Sequence, residues 1–205
     1  IGNMPGLEYR ADSEAICKRH GLHPHRIPDA ESYFSLLGCK LDVYDIVQER
    51  GCEILCDLNL PREFVHVSEY APYDIVLDVG TVEHCFNIAQ AVMNMAGLVK
   101  KDGYIIHENP FNWGNHGFYN LNPTLFADFY EANGFVLLEC KLVDRNGNWA
   151  KVSHTKRFVA VGAELNVFAI AQRTKIQPFV YPVQSKYANL IPAAGADRAK
   201  EVING

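Results

Sequence analysis

The 205-residue sequence lacks any run of basic residues and any long apolar run. Its 19 lysines and arginines are outnumbered by 24 aspartates and glutamates, which gives a formal net charge of -5. A mildly acidic chain without a basic patch is a poor ligand for nucleic acid or for an anionic membrane, so we expect neither as a partner. No apolar run approaches the ~18 residues of a membrane span, and no signal peptide is visible. This composition favours a small-molecule substrate.

Cysteine pairs at metal-binding or redox spacing are also missing. The six cysteines include no Cys-x-x-Cys pair, and several lie in apolar runs, where a free thiol packs as a small hydrophobic group. We therefore expect reduced thiols and a cytoplasmic location. His20, His23 and His25 have a spacing that zinc could use, but no cysteine or carboxylate accompanies them in a loop-like segment. We predict no metal site.

Several catalytic signatures are absent as well. The sequence contains no Gly-x-Gly-x-x-Gly fingerprint, no P-loop and no Gly-x-Ser-x-Gly elbow. The first absence argues against a dinucleotide-dependent oxidoreductase, and the other two argue against P-loop nucleotide chemistry and a serine hydrolase.

From about Lys40 onward, short apolar runs alternate with amphipathic stretches, a pattern typical of β-α units on a largely parallel sheet. The strand-like runs are 41–45, 53–57, 73–79 and 103–107. Capping signals followed by helical spacing predict helices that begin near Pro28, Asn87 and Asn122. Two last runs, 135–143 and 166–171, have no long helical pattern between them, which predicts an antiparallel pair.

The chain is long enough for one domain with a full-sized core. We expect an α/β domain over residues 1–177 and a C-terminal arm over residues 178–205. The arm contains Pro, Ala and Gly with weak periodicity, so it could pack on the surface or against a second copy. A homodimer therefore stays open.

The ordered set of motifs resembles the class I S-adenosylmethionine (SAM)-dependent methyltransferases. The segments "YDIVLDVGTVEHCFN" (73–87) and "LVKKDGYIIHENP" (98–110) resemble that family's fourth and fifth strands, and "GFVLLECKLVD" and "LNVFAIAQRTK" resemble the sixth and seventh. The segment "NHGFYNLNPTLFADFYEANGF" (115–135) is similar to a subgroup with small-molecule or sugar-like substrates. The resemblance covers roughly residues 30–175. It implies a three-layer, Rossmann-like α/β sandwich with a mostly parallel sheet that ends in an antiparallel strand pair.

The resemblance also implies an activity, which is SAM-dependent methylation of a small-molecule acceptor such as a sugar or a secondary metabolite. The family's Gly-rich first loop is replaced here by Gly2 and Asn3, which tolerate positive φ angles, and most of the first strand would lie upstream of Ile1. Two other functions stay open. One is a methyltransferase-fold protein that binds or acts as a scaffold without catalysis, and the other is a nucleotide-cofactor oxidoreductase.

Residues that would bind the cofactor are expected where strands end, because ligands of open α/β sheets bind outside the carboxyl ends of the strands. Asp45 would accept hydrogen bonds from the ribose hydroxyls, unless it is only a solvated strand end. Asp57 would accept from the adenine amine, unless it forms an Asx-turn. The expected set is Gly2, Asn3, Asp45, Ile46, Asp57, Leu58, Gly80 and Thr81.

Side chains that could move a proton follow the fourth and fifth strands. Imidazole has an ordinary pKa of ~6.5 and can act as a base near neutral pH. The residues expected to be catalytic are His84, His116 and Tyr119. The residues expected to bind substrate are Glu83, His107, Asn109 and Asn112. The alternatives are that Glu83 and His84 orient each other or cap a helix, and that the loop residues only form hydrogen bonds.

Overall fold

The computed structural model describes Lys18 and residues 30–159 and 164–188. The chain divides into two compact units, residues 1–56 and residues 57–205. The predicted loop residues Gly2 and Asn3 lie outside the described residues, as do the three histidines at positions 20, 23 and 25. The predicted domain boundary at residue 177 stays a prediction.

The first unit contains one described helix and two very short strands. Helix α1 (Ala30–Leu36) is followed by Gly38, whose φ of 72° turns the chain out of the helix. Strand β1 (Tyr44–Asp45) pairs in parallel with strand β2 (Ile54–Leu55) as a separate two-stranded sheet.

The second unit contains a mixed sheet of five strands in the order β3-β4-β7-β5-β6. Only the β3–β4 pair is parallel; β7 pairs antiparallel with both β4 and β5, and β6 pairs antiparallel with β5. The strands are β3 (Tyr73–Val79), β4 (Val99–Pro110), β5 (Phe135–Asp144), β6 (Trp149–Lys151) and β7 (Leu165–Arg173).

The predicted three-layer, Rossmann-like sandwich with a mostly parallel sheet is wrong, because the sheet is mixed and mostly antiparallel. Parallel neighbours need a long crossover, usually a helix, whereas antiparallel neighbours can be joined by a short turn. After β5 the chain turns through residues 145–148 directly into β6. The described part of the chain has four helices, of which only two reach ten residues. They are too few for the helical layers that a buried parallel sheet needs on both faces.

The two long helices follow the predicted capping positions. Helix α2 begins directly after Asn87, and helix α3 begins directly after Asn122 with Pro at its first position. Neither asparagine side chain makes a capping hydrogen bond. The bounds are α2 (Ile88–Gly97), α3 (Pro123–Ala132) and α4 (Ser185–Ala188), with 3₁₀ turns at Arg62–Phe64 and Val82–His84.

The core of the second unit lies where α2 and α3 pack against the sheet. Its most buried apolar side chains are at most 2% exposed, and they include Val92, Ile105, Phe126, Tyr130 and Val167. Each large side chain buried in this way contributes roughly 1.5–3 kcal/mol. None of the helices in the described part of the chain has the length and apolarity to cross a membrane.

The described start of the C-terminal arm, residues 178–188, packs beside α3. The ring of Phe179 stacks on Phe129 with centroids 6.1 Å apart. Asn133 exchanges two hydrogen bonds with the backbone of Val180, at 2.7 and 3.0 Å. These contacts tie the arm to the end of the helix.

Candidate functional site

A buried network of polar side chains lies where β3 and β4 run side by side. Strand register pairs Asp78 with His107, and the His107 ring donates from Nδ1 to the Asp78 carboxylate at 2.7 Å. The hydroxyl of Tyr130 then donates to His107 Nε2 at 2.5 Å. All three residues are 0% exposed. Because each buried polar atom of the ring has a partner, the network can persist inside the core without a large desolvation penalty.

The Asp78 carboxylate also shapes the turn that follows β3. Its Oδ1 accepts from the backbone N–H groups of Thr81 and Val82, at 3.1 and 3.3 Å. Gly80, which lies between Asp78 and Thr81, has a φ of 74°, a conformation that glycine adopts without steric cost. The turn leads the chain into the 3₁₀ segment Val82–His84.

Glu83 is the buried acid of that 3₁₀ segment, and its side chain is 0% exposed. The Asn109 amide donates one hydrogen bond to Glu83 Oε2 at 3.1 Å and another to Asp78 at 3.0 Å. Glu83 Oε1 has no hydrogen-bond partner among the described residues. Burial raises the pKa of the Glu83 carboxyl above its ordinary value, an effect that backbone hydrogen bonding and Asn109 partly offset.

Two histidine rings lie over this carboxylate. Glu83 Oε1 is 3.7 Å from Nε2 of His84 and 3.5 Å from Nε2 of His116. The ring centroids of the two histidines are 5.1 Å apart, and the Trp113 ring packs 4.9 Å from His116. The side chains of His84 and His116 are 50% and 38% exposed. We call Glu83, His84 and His116 the Glu83 cluster; it combines one buried carboxylate with two imidazoles that solvent can reach.

A loop over residues 111–122 brings His116 to the cluster. The backbone carbonyl of Glu83 accepts from the N–H groups of Phe118 and Tyr119, at 2.9 and 3.3 Å. Gly117 packs so closely that an added Cβ would lie 2.8 Å from the same carbonyl oxygen. The loop is therefore held in place by backbone contacts to Glu83, and only glycine fits at position 117.

The structure brings four of the sequence-predicted residues together. Glu83, His84 and His116 form the cluster. The fourth, Asn109, donates a hydrogen bond to the Glu83 carboxylate. His107 lies deeper and is fully buried. Asn112 accepts a hydrogen bond from the Leu165 backbone at 2.7 Å.

Tyr119 contributes a structural bond. Its hydroxyl donates to the backbone carbonyl of Phe86 at 2.9 Å, which ties the loop to the segment after the 3₁₀ turn. Its predicted catalytic role stays a prediction.

The described cofactor residues that the sequence predicts are divided between the two units. In the second unit, Asp57 accepts from the backbone and side chain of Asn59 at 2.9 and 2.8 Å, which is the Asx-turn alternative. Leu58 is only 9% exposed and belongs to the core. In the first unit, Asp45 Oδ1 accepts from the Val47 N–H at 3.2 Å, and Ile46 is 65% exposed.

Sequence reasoning missed two members of the buried network, Asp78 and Tyr130. Asp78 was recognisable as an acid inside an apolar strand, but its partners depend on strand register. Tyr130 lies at a helical spacing that indicates only a position facing the core. Sequence reasoning also missed an open cleft of about 730 Å³, which contains none of the predicted site residues. Its lining includes Phe111, Leu125, Lys156, Arg157 and Lys186.

Unsatisfied polar atoms concentrate near the cluster. The described residues contain four buried side-chain polar atoms without a hydrogen-bond partner, and three of them are Glu83 Oε1, Asn109 Oδ1 and Trp113 Nε1. Buried polar atoms are nearly always paired in folded proteins. Their concentration here marks the Glu83 cluster as a place where a ligand can supply the missing partner.

No protein-family model matches the chain, and no curated protein matches it either. The family resemblance therefore depends on the sequence motifs alone, and a function has to be argued from the Glu83 cluster.

Proposed function

We propose that the chain is an enzyme that uses SAM to methylate a small-molecule acceptor, which binds at the Glu83 cluster. The observation that carries the proposal is a fully buried carboxylate with an unpartnered oxygen beneath two exposed imidazoles. The cluster follows the carboxyl end of β3, a strand that runs parallel to its neighbour β4. Loops that follow neighbouring parallel strands are common positions for ligands.

The chain's own residues supply the acid–base part of this chemistry. A hydroxyl or amine that accepts a methyl group would also have to lose a proton. His84 and His116 expose ring nitrogens that can take that proton, and Glu83 lies close enough to stabilise a positive charge on either ring. Holding the acceptor in the correct orientation supplies a further part of the rate.

When bound, SAM supplies a methyl group on a sulfonium, and the carbon–sulfur bond electrons return to sulfur. In the first unit, one predicted cofactor residue has a side chain that fits this group. Asp45 is partly exposed at the end of β1 and can accept from ribose hydroxyls. In the second unit, Gly80 supplies no free backbone donor, because its N–H donates to the Glu108 carbonyl and the next two N–H groups donate to Asp78. Leu58 does not fit a role against adenine, because its side chain is buried.

Calorimetric titration of the full chain with SAM, and separately with its demethylated product, tests the proposal. We expect micromolar binding of both. Asp45→Ala should weaken binding about 10- to 100-fold, because a hydrogen bond to a charged group contributes about 1.5–3 kcal/mol. Asp42→Ala, three residues earlier, is the matched control. Absence of binding by the folded chain would overturn the proposal and favour the scaffold alternative.

Turnover is tested separately with mass spectrometry. The chain is incubated with SAM and a panel of hydroxylated small molecules, including sugars, and the products are searched for an added methyl group. Glu83→Gln keeps the shape of the side chain but removes its charge, so we expect methylation to fall while SAM binding persists. Unchanged methylation in this variant would refute the role of the cluster.

We also propose a cytoplasmic location. The five cysteines in the described part of the chain form no disulfide with one another, and reduced thiols persist in reducing compartments. Thiol titration of protein extracted under alkylating conditions from fractionated cells tests this location. A substantial fraction of oxidised cysteine would contradict it.

A further inference from the structure

The three side chains of the Glu83 cluster carry donor atoms that can reach a single ion. The described residues include one such group, Glu83, His84 and His116, whose ligand atoms all lie within 4.8 Å of one another. Glu83 Oε1 is 3.7 and 3.5 Å from the two Nε2 atoms. Tetrahedral ligands at about 2.0–2.1 Å from zinc stand about 3.3 Å apart. The carboxylate–imidazole distances are therefore within a few tenths of an ångström of those of an occupied site.

The two histidine rings can supply the remaining adjustment. Both are exposed to a substantial degree, so neither is locked by packing on all sides. A small side-chain rotation would bring the imidazole nitrogens closer together. The carboxylate does not have to move, since it is fully buried and fixed by Asn109.

An independent observation indicates that the cluster can accept a ligand. Glu83 Oε1 is buried and has no hydrogen-bond partner among the described residues, whereas Oε2 of the same carboxylate is paired with Asn109. The unpartnered oxygen is the atom nearest to both imidazoles. Neither imidazole makes a hydrogen bond to it within normal geometry. A cation between the three groups would satisfy the oxygen and both ring nitrogens together.

The type and number of ligands favour a divalent transition metal. Two imidazoles and one carboxylate form a common catalytic zinc set, in which a fourth position stays open. The exposed side of the rings leaves that position toward solvent. The Asn109 amide, which also bonds Asp78, orients the carboxylate as outer-shell partners do in metal sites.

We propose that Glu83, His84 and His116 bind a divalent transition-metal ion such as Zn²⁺, with one open coordination position for an oxygen ligand. The proposal of metal binding does not depend on the proposed function. The further statement that the oxygen ligand is the hydroxyl group of a methyl acceptor rests on the proposed function. A cation here would lower the proton affinity of that hydroxyl, and the histidine rings would then act as ligands.

Metal titration of the full, chelator-treated chain tests the proposal. ZnCl₂ should bind with a stoichiometry of one in calorimetry, and Co²⁺ should give the visible absorption of a low-coordinate site. His84→Asn, His116→Asn and Glu83→Gln should each weaken binding by at least about 10- to 100-fold, the loss typical even for outer-shell partners. His154→Asn is the control, because His154 is exposed and only its backbone carbonyl makes a hydrogen bond.

Unfolding curves measured without metal show whether each variant is folded. If the buried Glu83→Gln variant does not fold, the two variants of the exposed histidines still show whether the cluster binds the metal. Equal loss of metal binding in His154→Asn, or no loss in the cluster variants, would overturn the proposal. Zinc binding without SAM binding would refute the methyltransferase proposal alone. SAM binding without zinc binding would refute only the metal site.

Discussion

Removing the hydroxyl oxygen of Tyr130 tests how much the buried network contributes to stability. This hydroxyl donates to His107 Nε2 at 2.5 Å, and both residues are 0% exposed. In Tyr130→Phe the ring keeps its packing against Phe129 and Phe135, but the imidazole nitrogen loses its donor inside the core. Leaving a buried acceptor unpartnered costs about 1–3 kcal/mol.

That cost predicts a measurable loss of thermal stability. A change of 1 kcal/mol shifts the unfolding midpoint by about 2–4 °C in domains of 150–250 residues, so Tyr130→Phe should lower the midpoint of the second unit by about 2–12 °C. Tyr104→Phe is the matched control, because its hydroxyl is exposed and bonds only Gln172, at 3.1 Å. We expect that control to change stability by less than about 0.5 kcal/mol. Equal shifts in the two variants, measured by circular dichroism, would refute the reasoning.

The same hydroxyl predicts a pH dependence. Burial first, and then the nearby Asp78 charge, raise the pKa of Tyr130 well above its ordinary value. The native chain therefore keeps a proton that the unfolded chain loses from about pH 10 upward. This contribution to stability is complete below pH 10 and is lost as the pH rises further. Tyr130→Phe should flatten the decline of stability above pH 10, and a decline as steep as that of the unmodified chain would contradict the assignment.

Two further predictions concern the loop and the thiols. Gly117→Ala should loosen the loop and make it a site of limited proteolysis, because a Cβ at position 117 would lie 2.8 Å from the Glu83 carbonyl oxygen. Gly114→Ala is the control, because nothing lies within 4 Å of a Cβ added there. Equal cleavage of the two variants would contradict the prediction. Burial raises the pKa of the Cys140 thiol to about 11. At pH 8, iodoacetamide should therefore modify Cys140 far more slowly than the exposed Cys39. Mass spectrometry of the labelled peptides measures the two rates, and equal rates would contradict the prediction.

The sequence located most elements and predicted the antiparallel pairing of β5 with β7, which is confirmed, but it did not predict the rest of the strand order. The strand-like runs at 73–79 and 135–143 correspond to β3 and β5, and the asparagines at positions 87 and 122 precede α2 and α3. Periodicity reports burial along one segment, whereas strand order depends on contacts between distant segments. Strand β7 pairs antiparallel with both β4 and β5 and therefore lies inside the sheet. Nothing in its apolar pattern distinguishes that position from an edge.

The candidate site was predictable to the extent that it follows strand ends. Glu83 and His84 lie in the 3₁₀ turn that follows β3, and His116 lies in the loop after β4. The support below them was not predictable, because it requires the register that pairs Asp78 with His107. It also requires α3 to pack its tyrosine onto that pair. Both are long-range contacts for which one sequence offers no local signal.

The buried network explains how a carboxylate can be held rigidly beneath two partly exposed rings. Tyr130, His107, Asp78, Asn109 and Glu83 form one chain of hydrogen bonds, and its first four members are at most 1% exposed. Asp78 takes two backbone and two side-chain donors, so its oxygens are saturated and the Asn109 amide has one hydrogen left for Glu83. A carboxylate fixed in this way keeps one oxygen directed at the rings. Tyr130→Phe should therefore lower mainly the stability of the fold. It should lower ligand affinity only to the extent that it displaces the Glu83 carboxylate.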